Sequence, residues 1–295
     1  MKKILVLGGT RFFGKRLVER LLESSQNSVT ILTRGQTSDS FGDRVQRICA
    51  DRTDRQALAE AVGEQVWDVV YDNICFSPDE ASEACRIFDA KAKRYIVTSS
   101  LSVYDSSPEV LTESIFDPQS YPVRKGGKDD FTYQEAKRQA EAVFMQQATF
   151  PVVAVRFPIV LGTDDYTKRL HFHLEHVREG TEIGVPNSEA QISFIRSDEA
   201  ADFLLWLGHT HLSGPVNACS DGTVRIGEII SIIEQTTGKQ AVVKEKTADE
   251  HMSPFGITQS WYMDTSKAQS EGYSFLSLNE WLPELITSLN RSYKS

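Results

Sequence analysis

Apolar residues recur along the chain in two rhythms. Ile4-Leu5-Val6-Leu7 is unbroken, as a central parallel strand buried on both faces requires, and the next stretch sets Leu17, Val18, Leu21 and Leu22 on one helical face. Shorter runs at Val29–Leu32, Val45–Cys49, Val66–Tyr71, Tyr95–Thr98 and Val152–Val155 predict five more strands, with helical patterns between most of them. One of those patterns carries Ala136, Ala140, Val143 and Phe144. It predicts a helix entered through a capping box of Thr132 and Glu135, with Asp129 and Asp130 near its positive end. The alternation predicts an α/β protein built on a doubly wound parallel sheet of the Rossmann type.

After Arg156-Phe157-Pro158 the rhythm changes. Residues 166–191 read as a helix followed by a loop rich in Gly, Pro and Asn. Pro215–Cys219 reads as a further strand, and Ile226–Gln235 and Trp281–Leu289 as helices. Residues 1–160 are therefore expected to form a nucleotide-binding domain. Residues 161–295 are expected to form a smaller substrate-binding lobe, interleaved with the first near 194–222.

In a doubly wound sheet, ligands bind at the C-terminal ends of the strands, and several chemically apt residues fall there: Gly8, Thr33, Arg34, Asp51, Asn73 and Ser100. The turn Gly8-Gly9-Thr10-Arg11-Phe12-Phe13-Gly14 lies between the first strand and the first helix, where backbone N–H groups can face a pyrophosphate. Arg11 stands where a middle glycine is usual, so its backbone is expected to manage without φ > 0 or its loop to shift. The second strand ends in Thr33-Arg34 instead of an acidic residue, which favours a 2′-phosphate and hence NADP(H) over NAD(H). Asp51-Arg52 is expected near the adenine, or else as an ordinary helix cap.

Tyr133 and Lys137, four residues apart on the predicted helix, share a face, so an ammonium can sit beneath a phenol and favour its ionised form. The same spacing in Tyr121-Pro122-Val123-Arg124-Lys125 is discounted, because Pro122 and Gly126-Gly127 make that segment a loop. His171, His173 and His176 have no cysteine partners and read as a solvent-facing or lobe helix, so no metal is expected. Asp164-Asp165 reads as loop solvation.

The net charge of −9 disfavours nucleic acid and anionic membranes as general partners. The four cysteines form no CxxC pair and read as reduced thiols, and no segment is apolar enough for a signal peptide or membrane span. A cytoplasmic monomer or homodimer acting on a small molecule is the expectation.

Assembled, these motifs resemble the extended short-chain dehydrogenase/reductases, the NAD-dependent epimerase/dehydratase family. The likeness covers the glycine-rich start, Ser100-Leu101-Ser102-Val103-Tyr104, Tyr133 to Lys137, Arg156-Phe157-Pro158-Ile159-Val160-Leu161-Gly162 and Phe194-Ile195-Arg196-Ser197-Asp198-Glu199-Ala200. The resemblance implies Ser100, Tyr133 and Lys137 as the catalytic set. It also implies contacts from Tyr133, Lys137, Phe157 and Pro158 to the cofactor, and hydride transfer at a hydroxyl or keto carbon of a small polar or sugar-like substrate. Leu101 and Ser102 replace the Asp-Glu pair of the family's 4,6-dehydratases, and Ile192 replaces an arginine used by sugar-nucleotide epimerases. Ile74-Cys75 replaces small residues at the end of the fourth strand. The Gly-Gly-Thr-Arg-Phe-Phe-Gly variant also resembles a branch containing chloroplast stem-loop RNA-binding proteins, so a regulatory or RNA-binding protein without catalysis is the alternative.

Overall fold

The computed structural model describes residues 1–293. Its centre is a seven-stranded, wholly parallel sheet. The first six strands are β1 (Lys2–Leu7), β2 (Asn27–Thr33), β3 (Gln46–Cys49), β4 (Val69–Asp72), β5 (Tyr95–Ser100) and β6 (Val152–Phe157). They lie in the spatial order β6-β5-β4-β1-β2-β3, with a late strand from residues 214–217 added beyond β6. The chain winds one way from β1 to β3 and the other from β4 onward, so the crevice between the ends of β1 and β4 is the topological switch point.

Burial on both faces explains why β1 is an unbroken apolar run. Ile4 and Val6 join α1 (Phe12–Leu21) through Leu17, Val18 and Leu21, while Leu5 and Leu7 point to the opposite layer. That layer is α2 (Arg55–Val62), α3 (Pro78–Ile87) and α4 (Tyr133–Gln147), packed through Leu58, Ala84, Ala140 and Val143. Asp54, not Asp51, caps α2, accepting from the N–H groups of Gln56 and Ala57 at 3.0 Å each.

The remaining elements alternate between the sheet and a second core. β7 (Ile159–Leu161), α5 (Arg169–Glu179), β8 (Glu182–Gly184) and β9 (Gln191–Ile192) lead to β10 (Phe194–Arg196), which pairs with β7. Next, α6 (Ser197–Leu207) lies against α1, and β11 (Gly214–Asn217) closes the sheet beside β6. β12 (Val224–Arg225), α7 (Ile226–Thr237), β13 (Val242–Lys244), α8 (Ser266–Ser270) and α9 (Leu278–Ser292) follow. Leu170, Leu174, Ile229, Ile233, Trp281 and Leu285 of α5, α7 and α9 form a core separate from the sheet.

The helix expected within 166–191 is α5, and β8 opens the stretch expected to be loop. Lys168 takes a left-handed conformation at φ 54° before α5, and Gly180 ends it at φ 72°. The capping box on α4 is half formed. The Thr132 hydroxyl accepts from Glu135 N–H at 3.2 Å, but the Glu135 carboxylate turns away to Tyr121, Arg124 and Gln139 and fixes the preceding loop. Asp129 and Asp130 lie in a separate 3-10 turn.

Candidate functional site

A crevice of about 780 Å³ opens at the C-terminal ends of the strands. Its walls bring together Gly8, Thr10, Arg11, Phe12, Phe13 and Gly14 of the glycine turn and Thr33 and Arg34 of β2. Asp51, Arg52, Asn73, Ser100, Tyr133, Lys137, Phe157 and Pro158 complete the set singled out in the sequence. Phe76, Lys128, Tyr166, Arg169 and Trp261 also line it without having been singled out in the sequence, as does Thr98 near the end of β5.

The glycine turn is shaped by close approach. A Cβ on Gly14 would fall 2.3 Å from the Gly8 carbonyl oxygen, and one on Gly8, at φ 82°, would fall 2.5 Å from Ile74 Cγ2. Neither position admits a side chain without movement of backbone or of the buried strand end. Arg11 is extended at φ −136°, and the left-handed conformation falls instead on Phe12, at φ 51°. No side chain caps α1, and its first turn holds no acidic residue, so its leading N–H groups face the crevice as an anion site. Asn73 Nδ2 is buried without a partner while its Oδ1 accepts from Thr98 Oγ1 at 2.9 Å. An orphan donor, uncapped helix N–H groups and a cradle that excludes Cβ atoms together fit a dinucleotide pyrophosphate and its neighbouring ribose.

At the far end of β2 and β3, Arg34 is exposed, and Arg11 donates through Nε to Thr37 Oγ1 at 3.0 Å. Asp51 accepts from the Thr53 N–H at 2.9 Å and the Thr53 hydroxyl at 2.7 Å, which lowers its carboxyl below the usual range. Arg52 is otherwise committed. Its guanidinium is buried on Asp72 at 2.6 Å, with Glu80 beside it at 3.8 Å, so it braces the ends of β3 and β4 and leaves the crevice cations to Arg11 and Arg34 at this end.

At the other end, Lys137 is 3% exposed and donates from Nζ to the carbonyls of Cys75 at 2.8 Å and Thr98 at 2.9 Å. Its ammonium lies 4.5 Å from the Phe76 ring centre and 6.0 Å from that of Tyr133. Tyr133, the first residue of α4, is 52% exposed with its ring in the crevice. Ser100 ends β5 and caps a short 3-10 turn, its Oγ accepting from Ser102 N–H and lying 3.1 Å from Ser102 Oγ. Burial pushes the thiol of Cys75, which lies behind the crevice, up to about 12, which keeps it inert.

Behind Ser100 runs a buried polar chain. Ser99 donates to Glu141, Glu141 pairs with Arg156 at 2.7 Å, and Arg156 donates to the Tyr104 hydroxyl at 2.7 Å. Tyr104 in turn donates to Asn217 at 2.7 Å, tying β5, α4, β6 and β11 together.

The other sequence candidates have structural work. His173 is fully buried, with Nε2 2.7 Å from Ser253 Oγ and its ring stacked on Phe255, and burial lowers its pKa to about 4. His176 pairs with His251 at 3.2 Å. Asp164 accepts from Arg16 and Ser197, and Asp165 from Thr167. Tyr121 lies in a loop and donates to Glu135 at 2.8 Å.

A doubly wound parallel sheet with a glycine turn at its switch point defines a dinucleotide-binding α/β protein. The chain belongs to the family described as NAD(P)H-binding, which matches residues 8–184. It is 30% identical to the chloroplast stem-loop binding protein of 41 kDa b from Arabidopsis thaliana over 232 residues. That alignment takes in 72% of this chain and 57% of the relative, so the chain spans little more than half of that protein's length. Its fold is similar to that of UDP-glucose 4-epimerase from Thermotoga maritima solved with UDP-glucose, with a TM-score of 0.75, 16% identity and 99% of each chain covered. It is also similar to dTDP-glucose 4,6-dehydratase from Bacillus anthracis in complex with NAD, with a TM-score of 0.76, 14% identity and 100% and 98% of the two chains covered. Among the described residues, no helix is long and apolar enough to cross a membrane.

Proposed function

We propose that this protein is an NADP(H)-preferring oxidoreductase or epimerase acting on a hydroxyl or keto carbon of a small polar, sugar-like substrate. The observation that carries the reading is that Ser100, Tyr133 and Lys137 line the same crevice as the glycine turn and the uncapped start of α1. Residues 1–160 would hold the cofactor, with the lobe from 161 onward shaping the substrate end.

The turn from Gly8 to Gly14, Asn73, Asp51, Phe157 and Pro158 would hold the dinucleotide, and Arg34 and Arg11 would take the 2′-phosphate. The nicotinamide supplies a hydride acceptor or donor when bound. Tyr133 exchanges the proton of the substrate oxygen from its exposed position in the crevice. Lys137 is held in place by two backbone carbonyls with its ammonium 6.0 Å from the Tyr133 ring centre, and it would hold the nicotinamide ribose. Ser100 Oγ, oriented by the Ser102 N–H, hydrogen-bonds the same substrate oxygen. Leu101 and Ser102 supply no carboxyl pair for removing water, which weighs against a 4,6-dehydratase. Titrating the cofactor-stripped protein with NADPH and NADH tests the reading. Failure to bind either would sink it.

A second reading, a regulatory or RNA-binding protein that retains the cofactor fold, is favoured by the 30% identity to the stem-loop binding protein. It requires salt-dependent retention of RNA and no turnover.

A further inference from the structure

The segment between β7 and α5 lines the crevice beside the start of α1. Tyr166 is 64% exposed, yet its ring meets the edge of Phe12 at 6.0 Å between centroids and 84° between planes. The Arg11 guanidinium lies 6.0 Å from the same ring. Tyr166 and Thr167 line the crevice together with Arg11, Phe12 and Gly14, so these contacts join its two walls over the pyrophosphate cradle. The segment is latched at one end, where Asp164 accepts from Arg16 Nε of α1 at 2.8 Å and from Ser197 Oγ of α6 at 2.9 Å. At the other end Lys168 sits at φ 54°, a left-handed conformation that costs a residue with a Cβ. Between them, Asp165 closes a tight turn on the Thr167 N–H at 2.8 Å, which makes the segment a compact unit. The three parts are a fixed end, a strained end and an aromatic tongue held by one edge contact and one cation–π contact.

We infer that residues 163–168 form a strap that gates dinucleotide exchange: Tyr166 must lift from Phe12 and Arg11 before a cofactor can enter or leave, and the Arg16–Asp164–Ser197 latch sets how often it does. The inference rests on the reading of the crevice as a dinucleotide site. It goes beyond that reading in assigning control of cofactor exchange to residues 163–168 and Arg16, which that reading gives no part in holding the cofactor.

The test is the dissociation rate of NADPH from the full chain, followed by fluorescence after mixing the loaded protein with excess NADP⁺. Tyr166→Ala removes the tongue, and Arg16→Gln loosens the latch from the far side of α1. Each is expected to raise the dissociation rate about tenfold, the scale of one aromatic edge contact with one cation–π contact or of one partly exposed charged hydrogen bond, with the association rate rising in step. Melting temperatures of both variants within a few degrees of wild type would show that the fold is intact. NADPH binding with dissociation rates within twofold of wild type in both variants overturns the strap and leaves the cofactor reading standing. Absence of binding to the wild-type chain overturns both.

Discussion

Lys137 donates to the Cys75 carbonyl at 2.8 Å, so the helix that presents Tyr133 is pinned to the chain immediately beyond β4. A second bond to the Thr98 carbonyl at 2.9 Å ties it to β5 as well. The ammonium thus fixes the distance between the two strand ends that flank the substrate end of the crevice. It has a structural task whether or not it has a chemical one.

Replacing Lys137 by Ala leaves two buried carbonyls without their charged donor. The expected cost is roughly 2–4 kcal/mol of stability, on top of the loss of turnover. Chemical denaturation of the variant checks the first part. A stability within about 0.5 kcal/mol of wild type would contradict the pinning role.

Tyr133→Phe makes the opposite separation. The ring is half exposed and its hydroxyl bonds no other residue among those described, so stability should stay within about 0.5 kcal/mol of wild type. Turnover on an accepted substrate should fall by roughly 10²-fold or more while cofactor affinity holds. Wild-type turnover in this variant would remove Tyr133 from the mechanism.

Arg34→Ala should weaken NADPH binding by roughly 10–100-fold and NADH binding little, because a guanidinium–phosphate contact is charge-assisted and the 2′-hydroxyl offers no such partner. Parallel titrations with the two nucleotides read the difference. Equal losses would place Arg34 elsewhere than at the 2′-position.

His173 makes acid stability a measurable property of the lobe. Burial lowers its pKa from 6.5 to about 4, so the unfolded chain takes up a proton that the folded chain refuses. This contribution to stability is complete above pH 6.5 and is lost as pH falls from there towards 4, by roughly 3 kcal/mol in all. His173→Gln should flatten the fall in melting temperature between pH 7 and pH 4.5. An unchanged slope would assign the acid sensitivity to other groups.

The sheet was legible because doubly buried strands announce themselves as apolar runs, and Val152–Phe157 differs from the expected segment by two residues at one end. Short pairings such as β9 with β12 are two residues long, too brief to carry any period. Gly8 stood out because close backbone approach restricts what can occupy its place, and Ser100 and Tyr133 because their positions matched a motif. Arg52 did not reveal its role, since an ion pair to Asp72 twenty positions away leaves no local trace. Nor could spacing show that the left-handed non-glycine residue of the glycine turn is Phe12 rather than Arg11. The 310 turn before α4 and the diversion of the Glu135 carboxylate depend on the Tyr121–Arg124 loop, whose position only the tertiary fold determines. Tyr166 and Trp261 were invisible for the same reason, as they reach the crevice from the lobe side without a motif of their own.

The strand β11 arrives more than fifty residues after β6 yet completes the sheet beside it, and α6 arrives just before it to cover α1. A fragment cut near residue 160 would therefore carry a bare sheet edge and an uncovered apolar helix face, a template for self-association. Evolution can exchange the loops of such a chain freely. Residues 1–160 take the edge strand of their sheet from the chain beyond them.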